Sequence, residues 1–173
     1  MVRRAAGALL ASLVVLGMLP ADPAWGQASP GPGRDTFWFG VGLGVGSEDF
    51  AGSLNGSYQF GANVLSLRTA VTAGLFDQGF NDYALLYGRA TRPAGERYHA
   101  SVGAGLSLVD GCQGGSVFSD CRSIQTVVGF PIEVQLFWRP GSVVGLGLYG
   151  FANLNRSQSF AGVTLGLQLG RLR

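Results

Sequence analysis

Residues 37–47 read FWFGVGLGVGS, and this stretch decides the fold. Phe37, Phe39, Val41, Leu43 and Val45 are large and apolar, while Trp38, Gly40, Gly42, Gly44 and Gly46 lie between them. A period of two is the side-chain period of a β-strand. Glycine weakens a strand and offers nothing to pack, so a strand with one oily face and one bare face needs an explanation.

The same alternation recurs along the chain. Gly52–Phe60 sets Leu54, Gly56, Tyr58 and Phe60 against Ser53, Asn55, Ser57 and Gln59. Val64–Leu75 sets Leu65, Leu67, Thr69 and Val71 against Ser66, Arg68, Ala70 and Thr72. Tyr98–Val109, Ile124–Trp138, Val143–Asn153 and Phe160–Leu172 alternate in the same way. Tyr83–Thr91 is ambiguous: Tyr83, Leu85, Tyr87 and Arg89 share one face, and Ala84, Leu86, Gly88 and Ala90 the other. With Phe37–Gly46 this makes eight strands and no helix beyond the N-terminal segment.

That N-terminal segment has its own logic. Arg3 and Arg4 precede an apolar run, Ala5–Leu19, which Pro20 breaks before the small residues Ala24, Gly26 and Ala28. The layout is that of a secretory signal peptide, expected over residues 1–28 with cleavage after Gly26 or Ala28. The run is too short for an uncleaved spanning helix, and little beyond the two arginines suggests a twin-arginine signal. A short segment, 29–36, then leads into one domain, 37–173.

Composition narrows the class. Charged residues make up 13% of the chain, about half the share of an ordinary soluble domain. A net charge of +2 argues for no nucleic-acid partner. The connections predict short turns at 61–63, 92–97 and 139–142, and longer loops at 76–82 and 110–123. Short turns at one end and longer loops at the other are the pattern of an up-and-down transmembrane barrel, both termini at the short-turn end. The faces follow. The small face carries few charges (Arg68, His99, Glu133 and one phase of Arg89), too few for eight water-exposed strands. An eight-stranded barrel has an interior just wide enough for side chains, so small residues belong inside and Leu, Val and Phe outside, against lipid. Aromatic residues at strand ends, such as Phe37, Tyr98 and Trp138, fit an interfacial belt. The alternative is a soluble, lipocalin-like periplasmic barrel with its oily face inside, around an apolar ligand.

Across the whole mature chain this pattern resembles the small eight-stranded outer-membrane barrels of the OmpA-like and OmpX-like kind. The resemblance implies an all-β, antiparallel barrel in the outer membrane of a diderm bacterium, inserted by the barrel-assembly machinery. It further implies interior ion pairs, a monomer, and lipid and lipopolysaccharide as neighbours. The chain ends LQLGRLR, without the terminal aromatic residue common in such barrels.

Several side chains are candidates for chemistry. Cys112 and Cys121, the only cysteines, are expected to form a disulfide in the longest loop. Arg68 and Glu133, both on the inner face at similar depth, are expected to pair across the lumen. Glu48, Asp49, Asp77, Asp82, Asp110 and Asp120 make the long-loop end acidic, a weak candidate for a divalent cation bridging to anionic lipid. Arg34, Arg92, Arg97, Arg139, Arg171 and Arg173 make the other end basic. His99 and Ser101, with Glu133 on the neighbouring strand, offer the elements of a hydrolase triad. Their spacing resembles the His-x-Ser of the lipid A deacylases, also outer-membrane barrels, with Val102 where that family has Asn. The glycine runs precede no helix, so they cradle no dinucleotide, and no cofactor is expected. The leading expectation is a non-enzymatic barrel that acts through its extracellular loops, which would meet any external ligand.

Overall fold

In a computed structural model of the chain, residues 35–74, 78–91, 97–113 and 122–172 are described. They form eight strands: β1 Thr36–Gly46, β2 Asp49–Phe60, β3 Asn63–Ala73, β4 Gln78–Ala90, β5 Tyr98–Gln113, β6 Arg122–Trp138, β7 Val144–Asn155 and β8 Phe160–Arg171. Each pairs antiparallel with the next, and β8 closes on β1. No sheet edge runs the length of the barrel, which is what a bilayer demands of β structure.

The register sets the size. The pairs Thr36–Gln59, Gln59–Val64, Val64–Gly88, Gly88–Gly103, Gly103–Glu133, Glu133–Phe151, Phe151–Gly162 and Gly162–Gly46 make one circuit that returns to β1 at Gly46 instead of Thr36. Such a stagger tilts the strands by about 40°, so β1 rises about 25 Å along the axis, the height of an outer-membrane apolar band. The start of β1 and the end of β8 lie at what we term the terminal end; the opposite end is the distal end.

Facing follows the alternation. Leu43, Leu67, Leu106 and Leu165 stand on the outside, Leu165 with 74% of its surface exposed. Trp38, Ser66, Gln135, Thr164 and Gln168 are buried in the lumen. β4 resolves in favour of Tyr83, Leu85, Tyr87 and Arg89 outside, with Asp82, Ala84, Leu86 and Ala90 inside. Arg89 therefore stands on the exterior and not on the small face.

The bare glycine face is explained by close approach. A Cβ on Gly44 would collide with the Val163 carbonyl oxygen and lie 2.7 Å from Thr164 Cα. A Cβ on Gly42 would lie 2.8 Å from Ser53 Oγ. The concave wall has no room there, and glycine lets β1 coil against β8.

The connections depart from expectation. β1 and β2 are joined by Ser47 and Glu48 alone, with Asp49 at φ 82°, a left-handed conformation that a short polar side chain tolerates. β4 begins at Gln78, so most of the expected loop 76–82 is strand. β5 runs to Gln113 and β6 starts at Arg122, so the two ends of the loop expected at 110–123 are paired strand, with an irregularity between Val109 and Gly111. Gly, Asp and Gln in these stretches look like turn residues; pairing with the neighbouring strand overrides that local preference. Among the described residues, β5 and β6 stay paired out to Gln113–Arg122, well beyond the last β6–β7 pair, Gly129–Asn155.

Candidate functional site: the lumen and its two ends

The lumen is filled in layers. At the terminal end Trp38, Val64, Ala90 and Leu172 form an apolar cluster. Arg139 turns in over it, its guanidinium carbon 4.8 Å from the Trp38 ring centre. Arg139 is therefore in the lumen mouth and not on the rim where its loop position suggested. It donates from Nε to Gln168 Oε1 at 3.2 Å and from Nη1 to the Leu172 carbonyl at 3.4 Å. His99 meets Trp38 edge-on, with ring centres 5.0 Å apart.

From Arg139 a ladder of buried hydrogen bonds climbs the wall. Gln168 Nε2 donates to Gln135 Oε1 at 3.1 Å, and Gln135 Nε2 donates to Glu133 Oε1 at 3.1 Å. Tyr149 Oη donates to Glu133 Oε2 at 2.5 Å. The carboxyl group thus accepts on both oxygens, so neither is left without a donor. The residues come from β6, β7 and β8, where alternation on adjacent strands aims them at one another.

The next layer holds the ion pair. Arg68 on β3 donates from Nε to Asp82 Oδ1 at 3.2 Å, and its Nη2 pairs with Asp82 Oδ2. Its Nη1 donates to the Ile132 carbonyl at 3.1 Å. Asn153 Nδ2 reaches Asp82 Oδ2 at 2.8 Å and Ser107 Oγ at 2.7 Å. Arg68 also lies over the Phe151 ring, at 5.5 Å. Above this layer Phe80 and Phe160 stack, with ring centres 5.9 Å apart.

These contacts revise the expected site. Arg68 and Glu133 both point inward, but Arg68 takes Asp82 as its carboxylate and Glu133 is held by Tyr149 and Gln135. Asp82 is not on an acidic rim; it is buried completely. It escaped sequence reading because β4 has apolar residues on both faces and Asp82 sits beside turn-like Asn81.

Glu48, Asp49 and Asp110 do lie toward the distal end. Asp77 and Asp120 fall outside the described residues, as do Arg34, Arg92 and Arg173. Among the described residues no three His, Cys, Asp or Glu side chains group as a metal site. Cys121 and the Cys112 side chain also fall outside them, and so does the signal segment 1–28.

The triad elements are not assembled. His99 Nε2 and Ser101 Oγ are buried and make no hydrogen bond among the described residues. The two oxygens of Glu133 accept from Gln135 and Tyr149, not from His99 or Ser101. All three face the lumen, away from the exterior on which a membrane lipid would present itself.

A closed barrel with an apolar exterior and a lumen of interlocked side chains defines a small transmembrane β-barrel. No protein-family model and no curated protein matches the chain. Solved structures do. The chain is similar to Neisserial surface protein A (NspA), with a TM-score of 0.60 and 11% identity over 78% of this chain and 96% of that one. It is similar to the N-terminal β-barrel domain of Pseudomonas aeruginosa OprF, with a TM-score of 0.61 and 14% identity over 78% and 96%. It is also similar to Ail, the attachment invasion locus protein of Yersinia pestis, solved with the heparin analogue sucrose octasulfate. There the TM-score is 0.50 and the identity 16%, over 79% and 97%. The chain has the fold of the small eight-stranded outer-membrane barrels, as the OmpA-like and OmpX-like resemblance implied.

Proposed function

We propose that this protein is a non-enzymatic barrel of the bacterial outer membrane that anchors a surface-interaction device at its distal end. The observation that carries the reading is the pairing of an apolar exterior with a lumen occupied in successive layers from Trp38 to Phe80. An exterior of Leu, Val and Phe is stable only against lipid. A filled lumen leaves the ends as the working surfaces. Two of the similar barrels are, by name, a surface protein and an attachment protein, which supports the same direction.

The distal device is the hairpin of β5 and β6. β7 pairs with β6 no further than Gly129–Asn155, so among the described residues the outer edge of Arg122–Val128 has no strand beside it. Free N–H and C=O groups on such an edge favour a partner that adds an extended segment. The disulfide expected between Cys112 and Cys121 would tie this hairpin near its tip. Export through the signal peptide at 1–28 and insertion by the barrel-assembly machinery complete the reading, with lipopolysaccharide and lipid around a monomer.

The test is gel mobility of the membrane-fraction protein in SDS, unboiled and boiled. A closed transmembrane barrel resists SDS until heated, so a heat-dependent shift is expected. Recovery in the soluble periplasmic fraction, with no shift, overturns the reading in favour of the lipocalin-like alternative.

A further inference from the structure

The exterior is not uniform. Outward side chains stand in rungs that follow the hydrogen-bonded pairs around the barrel. One rung runs from Phe39 on β1 to Leu106 on β5; the next, toward the distal end, runs from Leu54 on β2 to Val128 on β6. Between them lies a furrow of about 740 Å³, floored by backbone. It is open because each rung has a small member, Gly56 in the first and Thr69 in the second.

Four strand spacings make the furrow about 19 Å long. At the barrel's tilt about 12 Å of this is depth, within the roughly 15 Å of one leaflet. The shallow end points to the distal boundary, where the chemistry changes. The next rung is polar: Asn81 on β4 pairs with Asp110 on β5, both half-buried on the outward face and just above Tyr83 and Leu108. Apolar length below, hydrogen-bond acceptors above, and a position within the apolar band describe an amphiphile's outline. Only a molecule of the surrounding membrane can reach it.

Building on the membrane reading above, we propose that this furrow holds one acyl chain of a distal-leaflet lipid, whose donor-bearing head group hydrogen-bonds Asp110 and Asn81. The occupant is a membrane lipid and not a soluble fatty acid. Asp110 selects a head that carries N–H or O–H donors.

The test is native mass spectrometry of the protein released from vesicles of phosphatidylethanolamine and phosphatidylcholine. The two heads have equal charge, but only the first has N–H donors. The expected result is one retained lipid, with phosphatidylethanolamine favoured about threefold or more, the scale of one net hydrogen bond. Gly56→Phe fills the furrow; a Cβ there meets only the Phe39 ring, at 3.5 Å, so the backbone need not move. It is expected to abolish retention, as is Thr69→Phe, which fills the same furrow from β3. Asp110→Ala is expected to keep the lipid and lose the head preference.

Adducts that fall off smoothly with no plateau at one lipid overturn the proposal. So does retention unchanged in both filled variants that still show the heat-dependent gel shift, or an adduct with the mass of a fatty acid or detergent. A retained shift without a retained lipid leaves the membrane reading intact and removes this inference alone.

Discussion

Arg68 and Asp82, on adjacent strands, form a doubly hydrogen-bonded ion pair with both side chains wholly shielded from solvent. The pair is not isolated. Asn153 supplies a donor to the carboxylate from across the lumen, and the Ile132 carbonyl takes another Arg68 N–H. One contact set thereby ties β3, β4, β6 and β7 together at a single height.

Removing one partner should be far worse than removing both. Asp82→Ala leaves a buried guanidinium without its counter-charge, and a loss of about 3–5 kcal/mol is expected. Arg68→Leu with Asp82→Leu restores apolar packing and should recover most of that loss. Equilibrium unfolding in urea, in detergent micelles, measures both; equal losses in the single and double variants would show that the charge is not the issue.

Glu133 makes a second case, because it serves as acceptor for two donors. Glu133→Gln keeps one acceptor oxygen, facing Tyr149 or Gln135, and should cost less than Glu133→Ala. The alanine variant strands the Tyr149 hydroxyl and the Gln135 amide, for about 1–3 kcal/mol per buried unsatisfied group. The same unfolding titration distinguishes them. A stability unchanged in Glu133→Ala would mean that the ladder from Arg139 to Tyr149 does not contribute to the fold.

Two serines on one face of β5 should behave oppositely. Ser107 Oγ accepts from Asn153, whereas Ser101 Oγ has no hydrogen-bond partner among the described residues. Ser107→Ala is expected to destabilise by about 1 kcal/mol or more, and Ser101→Ala to be neutral or stabilising. Ser101→Ala also addresses the triad. Any lipid A deacylation by the purified protein should survive it, as seen in lipid mass spectra, because Ser101 is bonded to neither His99 nor Glu133. Loss of such an activity in this variant would restore Ser101 as a nucleophile.

Most of the architecture was legible because seven strands oppose Leu, Val or Phe to Gly, Ser or Gln, and period two then assigns the faces directly. β4 was not. Ala84 and Leu86 are as apolar as Leu85 and Tyr87, so only its pairing with β3 and β5 sets the phase. With that phase unknown, the carboxylate that partners Arg68 was hidden, and Glu133 stood as the nearest visible acid. Length was obscured for a related reason. Gly111, Cys112 and Gln113 carry no strand signature, and their place in β5 comes from ladder bonds to β4 and β6. Periodicity reports a residue's face; it does not report its neighbour across the sheet.

The glycine face that opened the question offers the sharpest contrast. Gly44 and Gly56 are both strand glycines one strand apart, and elementary propensity treats them alike. Their surroundings differ. A Cβ at Gly44 runs into the backbone of β8, which can yield only by opening the β1–β8 seam that closes the barrel. A Cβ at Gly56 points outward and finds ordinary contact with the Phe39 ring. Gly44→Val should therefore abolish the heat-shifted, SDS-resistant form, while Gly56→Ala should retain it, with stability unchanged or raised by up to about 1 kcal/mol as unfolded-chain freedom falls. Gel mobility of both variants after refolding into detergent decides the matter. A closed, SDS-resistant Gly44→Val barrel would show that the inner wall is looser than its backbone contacts indicate, and that the run of glycines in β1 answers to something other than space.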